Sequence, residues 1–580
     1  MVRAKQATFF NVAEKRATLY LVIVGVWLLI LAGSALSFWR TFSGLDSLLA
    51  KGLFVPFAGC LALFWFYGVY HSVLLVFSHM GRPDLGARAQ ALAKEMPFSS
   101  KVAVIYTTYN DFNREAASTC LNQDYPNYHV FLVDVSTNPE MREQVDAFHE
   151  DFASATTLVR LQPRQGFKGR SLNDTLKTAV GDDYEFFAVC DADSYLPSDF
   201  LSRTIPYFLL DERIAFVQAN HTSRGYNQAK FAKDFEVTVE PWWRLDQLPT
   251  ARYGFHMCVG HGVVIRREAW EKVGGYPEIV EEDRAFSMRL REHGYYGCFA
   301  PEVVCGEEFP QDFGPWRRRQ FRLVQAKIEI LSTQMPEFLR NKGISFTEKL
   351  DLLVRMIRLP SQALTLPFLL FGFCLIPLVD EGTLSATSID RAFDFMLSPG
   401  LVAVTLLTAA APLYPFFVYL RRKPLELVHL LFRSFTLYCF RLTLSITSFA
   451  AYILRGRAMF LVTGAQDGVA IRSQPMGVVR GFLQRLGPDS ALVTALDIAC
   501  GLILGYIGLV TGSLVLLGAA SVLLMSPMVR RFGWQNKAIS VAVYLPLALV
   551  IAGLAISLSG GIGTQSQYLV LAVLSVLLYY

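Results

Sequence analysis

The chain has 580 residues, of which 53% are hydrophobic and only 18% are charged, below the quarter of charged residues usual in a soluble protein. Its net charge of +5 is modest, and no dense basic patch with interleaved aromatic residues occurs, which argues against a nucleic-acid-binding protein. The nine cysteines form neither a CxxC pair nor a Cys/His zinc spacing, so we expect reduced cysteines rather than a disulfide framework or a zinc site.

Apolar runs near or above the length that crosses a bilayer flank a more polar middle region. They occupy about residues 18–39, 52–78, 359–379, 400–420, 494–529, 538–557 and 566–580. The run at 494–529 is too long for one span, and Thr511-Gly512-Ser513 is the expected turn between two. The first run lacks a small-residue cleavage site, so we interpret it as a true anchor. The pattern predicts eight spans.

The stretch 425–454 is apolar but contains His429, Arg433 and Arg441, which are spaced to fall near one stripe of a helix. A spanning helix would bury two arginines at about 2.5–3.5 kcal/mol each. We therefore expect an amphipathic helix along the inner membrane face, which also keeps Arg530 on the positive, inner side.

Charged loops indicate the topology, because cytoplasmic loops carry an excess of Lys and Arg. Basic residues precede the first run and follow both the second run and the run at 400–420, whereas the loop at 380–399 is acidic. The middle region is therefore expected in the cytoplasm. We expect residues 1–99 to hold two membrane helices and a linker, 100–345 a catalytic domain, and 346–580 interfacial helices with about six spans.

Three apolar segments of the middle region predict buried strands, at 101–111, 128–134 and 184–193, with helical stretches between them. This alternation is typical of a mostly parallel α/β sheet, in which ligands bind beyond the carboxyl ends of the strands. Asp191 and Asp193 stand at such an end. Two carboxylates at this spacing suit a Mg²⁺ or Mn²⁺ ion shared with a diphosphate, although Asp-x-Asp alone is also common in surface turns.

Several motifs of this region together resemble those of family 2 glycosyltransferases. They are Thr107-Thr-Tyr-Asn-Asp111, Asn122-Gln-Asp-Tyr-Pro126, Val133-Asp134-Val-Ser-Thr137, Lys168-Gly-Arg-Ser-Leu-Asn173, Asp191-Ala-Asp193, Phe216-Val-Gln218-Ala-Asn-His221 and Glu281-Glu282-Asp283. Residues 101–330 carry the resemblance, and the whole chain resembles the membrane-integrated processive synthases of cellulose, hyaluronan and chitin. This implies a GT-A-like, Rossmann-like α/β domain inserted in a polytopic α-helical membrane domain.

The resemblance implies a UDP-sugar donor, with UDP-glucose the leading candidate. The residues expected to bind it are Thr107, Tyr109, Asp134, Lys168, Asp191, Gln218, His221, Arg322 and Thr463, and the expected metal ligands are Asp191 and Asp193. The resemblance implies that Asp134 contacts the nucleotide base and that Lys168 faces the diphosphate. Thr463 belongs to Phe460-Leu-Val-Thr463, which resembles the gating loop of cellulose synthases, with Ala465 in place of a lysine.

Asp283, with Glu282 beside it, is the expected catalytic group. An acceptor hydroxyl must lose its proton as it attacks the anomeric carbon, and a carboxylate within hydrogen-bond reach can take that proton. One base without a second nucleophile implies inversion, so an α-linked donor would give a β-linkage. These acids would also suit a helix N-terminus, where the helix dipole favours negative charge.

The expected acceptor residues are Cys258, Gly260, His261, Phe321 and Leu323. The Gly-His pair resembles one in synthases of periplasmic glucans and suggests a bacterial β-glucan synthase. The Gln-x-x-Arg-Trp motif of processive synthases is altered: Arg319 replaces Gln and Leu323 replaces Trp. Leu cannot supply the aromatic face that stacks on the acceptor sugar. Either another ring, that of Phe321 or Trp316, stacks on the acceptor sugar, or the acceptor binds in a different position.

The expected function is extension of a β-linked polysaccharide, with export through the membrane helices, in a bacterial inner or plasma membrane. A polysaccharide acceptor and membrane lipids are the expected partners; homo-oligomers and accessory export subunits are left open. Transfer of one sugar to a lipid acceptor is the alternative that the altered motif favours. A transporter or scaffold with a degenerate domain is disfavoured, because Asp191, Asp193 and Asp283 are all present and no pair of broken, polar helices suggests a solute site.

Overall fold

The computed structural model describes residues 17–80, 84–95, 99–162, 167–223, 242–393, 420–459, 487–534 and 536–558, together with isolated positions at 225–236 and 404–417. The middle region forms a domain around one sheet. Helices on both sides of this domain in the sequence are long and apolar.

An eight-stranded mixed sheet lies at the centre of the middle region. Its strands are β1 (Val102–Thr108), β2 (Tyr128–Asp134), β3 (Thr156–Arg160), β4 (Phe186–Asp191), β5 (Ser194–Tyr195), β6 (Ile214–Thr222), β7 (Val263–Arg266) and β8 (Tyr296–Glu307). They are arranged in the order β3-β2-β1-β4-β7-β6-β8-β5. The first four in this order are parallel, whereas β7 runs antiparallel to both of its neighbours and β5 antiparallel to β8.

Helices precede, separate and follow these strands. In the middle region they are α3 (Leu85–Glu95), α4 (Arg114–Leu121), α5 (Pro139–Asp151), α6 (Phe167–Thr178), α7 (Phe200–Thr204), α8 (Leu248–Tyr253), α9 (Arg267–Lys272), α10 (Glu282–Glu292), α11 (Phe313–Thr333) and α12 (Met335–Arg340), after α1 (Thr18–Gly44) and α2 (Leu48–Ser78). They are followed by α13 (Phe346–Ser361), α14 (Thr365–Leu370), α15 (Ile376–Glu381), α16 (Ala386–Phe393), α17 (Pro424–Arg455), α18 (Ala491–Thr511), α19 (Leu514–Phe532), α20 (Lys537–Ala542) and α21 (Leu545–Leu558). Short 3₁₀ segments occupy Ile205–Leu209 and Gln362–Leu364, and π segments occupy Trp243–Gln247 and Phe371–Leu375.

The central strands are apolar along their whole length because both faces of the sheet are covered, as is usual for parallel strands. Val104 and Tyr106 of β1 pack into the cluster on one face, and Ala103 and Ile105 pack into the cluster on the other. Alternate residues of one strand therefore support both layers, and the polar residues that end the strands are left at one edge.

Six helical segments within the described residues are long and apolar enough to cross a membrane: Thr18–Gly44, Leu48–Ser78, Phe346–Glu381, Pro424–Arg455, Ala491–Thr511 and Leu514–Phe532. The turn expected at 511–513 is confirmed: α18 ends at Thr511, α19 begins at Leu514, and Gly512 has a φ of 67°. The run at 538–557 forms α20 and α21. The run at 566–580 and most of 400–420 lie outside the described residues.

The stretch expected as an interfacial helix is the single helix α17, which also qualifies as a span by length and composition. Arg433 and Arg441 do not form an exposed stripe on it, because both are buried. The Arg441 guanidinium lies 5.5 Å from the ring centroid of Trp316 in α11. Contact with α11 therefore encloses the charge of Arg441, one of the two arginines that argued against a spanning helix.

Candidate active site

A cleft of about 1210 Å³ opens at the carboxyl ends of β1, β2 and β4 and is closed on one side by α11. Eleven of the residues expected in the site line it: Thr107, Tyr109, Lys168, Asp191, Asp193, Gly260, His261, Glu282, Asp283, Arg322 and Leu323. Residues separated by up to 216 positions in the sequence are thus brought to one cavity. This position matches the rule that ligands of α/β sheets bind beyond the strand ends.

The loop after β1 is joined to the loop after β2 by Asn110, which has a φ of 58°. The Asn110 side-chain oxygen accepts hydrogen bonds from the backbone N–H groups of Thr137 and Asn138, both at 2.8 Å. Its amide nitrogen donates to the Thr137 hydroxyl at 2.9 Å. Asn tolerates the left-handed conformation better than most residues. Asn110 was not among the expected site residues, although its place after a strand end marked it as a turn residue.

Asp134 is fully buried beneath this edge rather than exposed in the cleft. Its carboxylate accepts a hydrogen bond from the backbone N–H of Ser136 at 2.8 Å and lies 3.3 Å from the Arg160 guanidinium. Its neighbours Val135 and Thr137 line the cleft in its place. Asp134 therefore shapes the loop that would receive a nucleotide base.

Lys168 and Asp191 form an ion pair on the floor of the cleft. The Lys168 ammonium also donates to the Gly260 carbonyl at 2.8 Å, and the Thr107 hydroxyl donates to Asp191 at 2.9 Å. Burial raises the pKa of Asp191 and the Lys168 ammonium lowers it, with a net shift downward. Asp191 is therefore ionised and oriented from two sides.

Asp193 is in the opposite electrostatic situation. Withdrawal from bulk water inside the cleft, followed by repulsion from Asp191 and Glu307, raises the pKa of Asp193 well above its ordinary value. Asp111 and Glu308 act in the same direction. A carboxylate surrounded by like charges is stabilised in its ionised form by a cation. Asp191 and Asp193 together offer the hard oxygen ligands that Mg²⁺ and Mn²⁺ prefer.

A second group of possible metal ligands lies next to this pair, formed by His221, His261 and Glu307. The His221 Nδ1 atom is 3.6 Å from Glu307, and the His261 Nε2 atom is 3.9 Å from it. Burial, followed by repulsion from His221, lowers the pKa of His261 to about 4, so the ring is neutral and able to act as a ligand. Glu307 was missed from the sequence; adjacent acids at the end of a strand were the available signal.

Gln218 and His221 lie behind the cleft wall and are buried. The Gln218 amide donates to the carbonyls of His261 and Gly262 at 3.0 and 3.1 Å and accepts from the backbone N–H of Val259 at 2.9 Å. A Cβ at Gly262, whose φ is 57°, would lie 2.7 Å from the His221 ring. Both side chains therefore hold the 259–262 loop in place.

The expected general base lies at the start of α10. Asp283 is 8% exposed, and its carboxylate accepts a hydrogen bond from the backbone N–H of Arg284 at 2.8 Å. Burial raises the pKa of Asp283, and burial followed by repulsion from Asp283 raises the pKa of Glu282 to about 8. A Cβ at Gly260 would lie 3.3 Å from the Asp283 carboxylate, so the 259–262 loop approaches the base closely. A carboxylate with a raised pKa is suited to general-base catalysis near neutral pH.

The helix α11 supplies the opposite wall of the cleft. Arg319, Arg322, Leu323 and Ala326 line it. Three other expected residues do not line the cleft. Phe321 is fully buried against α17, and Trp316 is fully buried in a stacked contact with Phe313. Cys258 is buried, and its backbone N–H donates to the Ser287 hydroxyl. Thr463 and the 460–465 segment lie outside the described residues. Among the described residues of α11, Leu323 therefore lines the cleft, whereas the rings of Phe321 and Trp316 do not.

Part of the chain is similar to known proteins. Residues 186–454 match the family model described as glycosyl transferase family group 2. A glucomannan 4-β-mannosyltransferase of Cyamopsis tetragonoloba is 26% identical over 229 residues, which are 39% of this chain and 44% of that protein. A probable glucomannan 4-β-mannosyltransferase of Arabidopsis thaliana is also 26% identical, over 38% of this chain and 41% of its own.

The chain thus spans less than half the length of these two relatives. Among solved structures, a mannosyltransferase from Pyrobaculum calidifontis in complex with GDP-Man and Mn²⁺ is 20% identical, with a TM-score of 0.40, over 65% of this chain and 96% of that one. The family model matches less than half of the chain and supports the expected family 2 glycosyltransferase domain. The expected GT-A-like fold flanked by apolar membrane helices is confirmed. The glucan product and the processive-synthase type expected from the sequence are not supported by these relatives, which are named for mannosyl transfer.

Proposed function

We propose that the protein transfers a hexose, with inversion, from a metal-bound nucleotide diphosphate sugar to a hydroxyl of a growing β-linked polysaccharide. One observation carries the proposal: Asp191 and Asp193, the possible metal ligands, and Asp283, the possible base, line the same cleft. The matched family model and the names of the relatives support the same class of reaction.

The donor would lie across the strand ends with its diphosphate near Asp191. Mg²⁺ or Mn²⁺ held by Asp191 and Asp193 would stabilise the negative charge that develops on the leaving nucleotide diphosphate. Lys168 and Arg322 flank this position and are suited to the remaining phosphate oxygens. The raised pKa of Asp193 fits this role, because a bound cation would favour its ionised form.

The acceptor would enter between the 259–262 loop and α11. Asp283 would accept the proton of the attacking hydroxyl, and Gly260 allows the loop to approach that carboxylate closely. With no second carboxylate acting as nucleophile, the sugar is transferred in a single displacement, so an α-linked donor gives a β-linked product.

The identity of the hexose is best tested between mannose and glucose. The names of the relatives favour mannose, whereas the sequence motifs suggested UDP-glucose. We also infer that the cleft faces the cytosol, because the basic residues before α1, after α2 and at 421–423 lie on the same side as the catalytic region in the topology that the loop charges favour. Export of the product would then pass between the membrane helices.

The test is transfer by the purified full chain in lipid nanodiscs. Labelled GDP-mannose, UDP-glucose and other nucleotide sugars are supplied with Mn²⁺, with Mg²⁺ or with EDTA, and the products are sized and analysed for linkage. We expect metal-dependent transfer from one donor into a long β-linked product. Single-sugar products on lipid would support the alternative of one transfer to a lipid acceptor, and failure to use any donor would refute the proposal.

A further inference from the structure

Glu281, the residue before the two cleft acids, is held between two cations. The Lys327 ammonium donates to both Glu281 carboxylate oxygens, at 2.8 and 2.6 Å. The Arg284 guanidinium forms an ion pair with the same carboxylate. One buried negative charge thus meets two positive charges, which leaves a surplus of positive charge beside Asp283.

These groups are shielded from solvent. The side chains of Glu281 and Lys327 are 5% and 6% exposed. Interactions between charges are stronger and less screened in such surroundings than at a surface. Lys327 lies on α11, which also presents Arg319 and Arg322 to the cleft. The ion pair therefore joins the turn that carries the base to the helix that carries the cleft arginines.

Both neighbouring charges act on Asp283. Burial raises its pKa and Glu281 raises it further, whereas Arg284 and Lys327 lower it. The titratable and charged groups that interact with Asp283, or with Glu281 and Lys327, are Glu282, Arg284, Lys168, Cys258, Tyr276, Arg322 and Glu329. Lys327 itself, whose pKa is lowered by burial to about 7, carries its charge on the acidic side of that value.

We propose that Lys327 and Glu281 are positioning residues for the general base: the pair fixes the turn before α10 against α11, and the net positive charge of Lys327 and Arg284 around Glu281 keeps Asp283 ionised. This inference rests on the proposed function, since it assigns a role in the same reaction. If the pair had only an architectural role, its removal could still lower stability, but it would leave the pKa of Asp283 unchanged.

The two members have opposite effects on the base. A general base works in its ionised form, so activity falls as pH drops below its pKa. Removing the positive charge in Lys327→Met raises the pKa of Asp283, so the acid limb of kcat/KM moves up by about one pH unit. Removing the negative charge in Glu281→Gln lowers it and moves the limb down. The double variant Glu281→Gln/Lys327→Met returns the limb toward its original position, and Lys327→Arg retains it.

The experiment measures the pH dependence of kcat/KM for sugar transfer by the full chain, together with donor binding in the presence of Mn²⁺. Donor affinity is expected to stay within about threefold in all variants, because Lys327 does not line the cleft and the Glu281 carboxylate, although it lies at the cleft wall, is held by Lys327 and Arg284. Lys342→Met is the matched control, since Lys342 is an exposed lysine in the loop after α12. It should leave the profile unchanged.

Unmoved acid limbs in both single variants, or limbs that move in the same direction, would overturn the proposal. If Lys327→Met fails to fold, Lys327→Gln, which removes the charge but keeps a polar side chain, decides the question by the direction in which its acid limb moves. Absence of transfer by the wild-type chain would instead refute the proposed function, so the two failures are distinguishable.

Discussion

Asp497 in α18 and Asp193 in the cleft differ in how the chain meets their charge. Asp497 is fully buried, pairs with the Arg317 guanidinium at 3.3 Å, and accepts hydrogen bonds from the hydroxyls of Ser526, at 2.5 Å, and Thr443. Asp193 lines the cleft, where the surrounding protein, by desolvation, and then repulsion from Asp191 and Glu307 raise its pKa. The helical region thus satisfies its buried acid internally, whereas the Asp193 side chain has no hydrogen bond or ion pair to the described residues of the cleft. The difference separates charges that hold the architecture from charges that serve chemistry.

The same distinction applies to the two ends of α11. Arg317, near its start, points toward the helices α18 and α19, while Arg322 and Lys327 serve the cleft and the turn before α10. One helix therefore connects both kinds of site. Substitutions on the side of α11 that packs against α18 and α19 should lower stability. Substitutions on the side that faces the cleft should impair donor binding or transfer.

The largest effect is expected from Asp283→Asn. This change keeps the shape of the side chain but removes the proton acceptor, and general-base catalysis contributes about 10²–10⁴-fold to a rate. We expect kcat to fall by that factor while donor binding with Mn²⁺ stays within about threefold, as measured by single-turnover transfer and by titration of the donor.

Glu282→Gln is the control for this loss. The pKa of Glu282 is raised to about 8, so its side chain is largely protonated at neutral pH and Gln reproduces that state. Its loss should be at least tenfold smaller than that of Asp283→Asn. Equal losses in the two variants would contradict the assignment of Asp283 as the base.

Asp497→Ala should act on stability. Removing one partner of a buried ion pair leaves the other charge uncompensated and costs about 3–5 kcal/mol. We expect a lower unfolding temperature in detergent but unchanged donor affinity in the fraction that remains folded. The double variant Arg317→Met/Asp497→Leu should recover much of the loss, because apolar residues of similar volume often replace such a pair at little cost.

A neighbouring pair on the same elements provides the control. Arg318 lies 3.4 Å from Asp489, whose side chain is 51% exposed. Exposed pairs contribute about 1 kcal/mol or less, so Asp489→Asn should hardly change the unfolding temperature. A loss as large as that of Asp497→Ala would show that burial does not separate the two sites.

Asp193→Ala, in contrast to Asp497→Ala, should weaken donor binding and leave stability intact. It removes a carboxylate from the possible metal site and also relieves the repulsion there, so the protein should unfold at the same temperature or a higher one. Donor affinity in Mn²⁺ should fall about 100-fold, the equivalent of roughly 3 kcal/mol. Retained metal-dependent donor binding would exclude Asp193 as a ligand, and Asp182→Ala, at a fully exposed acid, serves as the control.

Much of the cleft could be predicted because its residues follow strand ends, where short local patterns determine position. The acids at 191 and 193 could be placed from the end of their strand, whereas Asp283, at the start of α10, was placed by resemblance to a family motif. Lys327 and the Arg317–Asp497 pair could not be predicted in this way, because their partners are 46 and 180 residues distant. Such pairings depend on packing, which a single sequence does not encode locally.

Phe321 illustrates a different limit. Residues 319, 322, 323 and 326 of α11 line the cleft, so a period of 3.6 residues places 321 on the far side, against α17. The sequence indicates which residues of α11 share a face. It does not indicate which of the two faces lines the cleft and which packs against the membrane helices. The neighbouring Leu323, which the same motif assigns to the acceptor, lines the cleft.

The smallest expected effect concerns this position. Leu323 lines the acceptor side of the cleft, where an aromatic face would stack on a sugar ring. Leu323→Trp should lower the KM for an oligosaccharide acceptor about two- to tenfold, since an aromatic contact contributes about 0.5–1.5 kcal/mol, and should lengthen the product without changing the donor KM. Leu339→Trp, at an exposed residue of α12, is the matched control. If Leu323→Trp instead raises the donor KM and leaves product length unchanged, the acceptor does not pass over α11, and the cleft uses this wall for the donor alone.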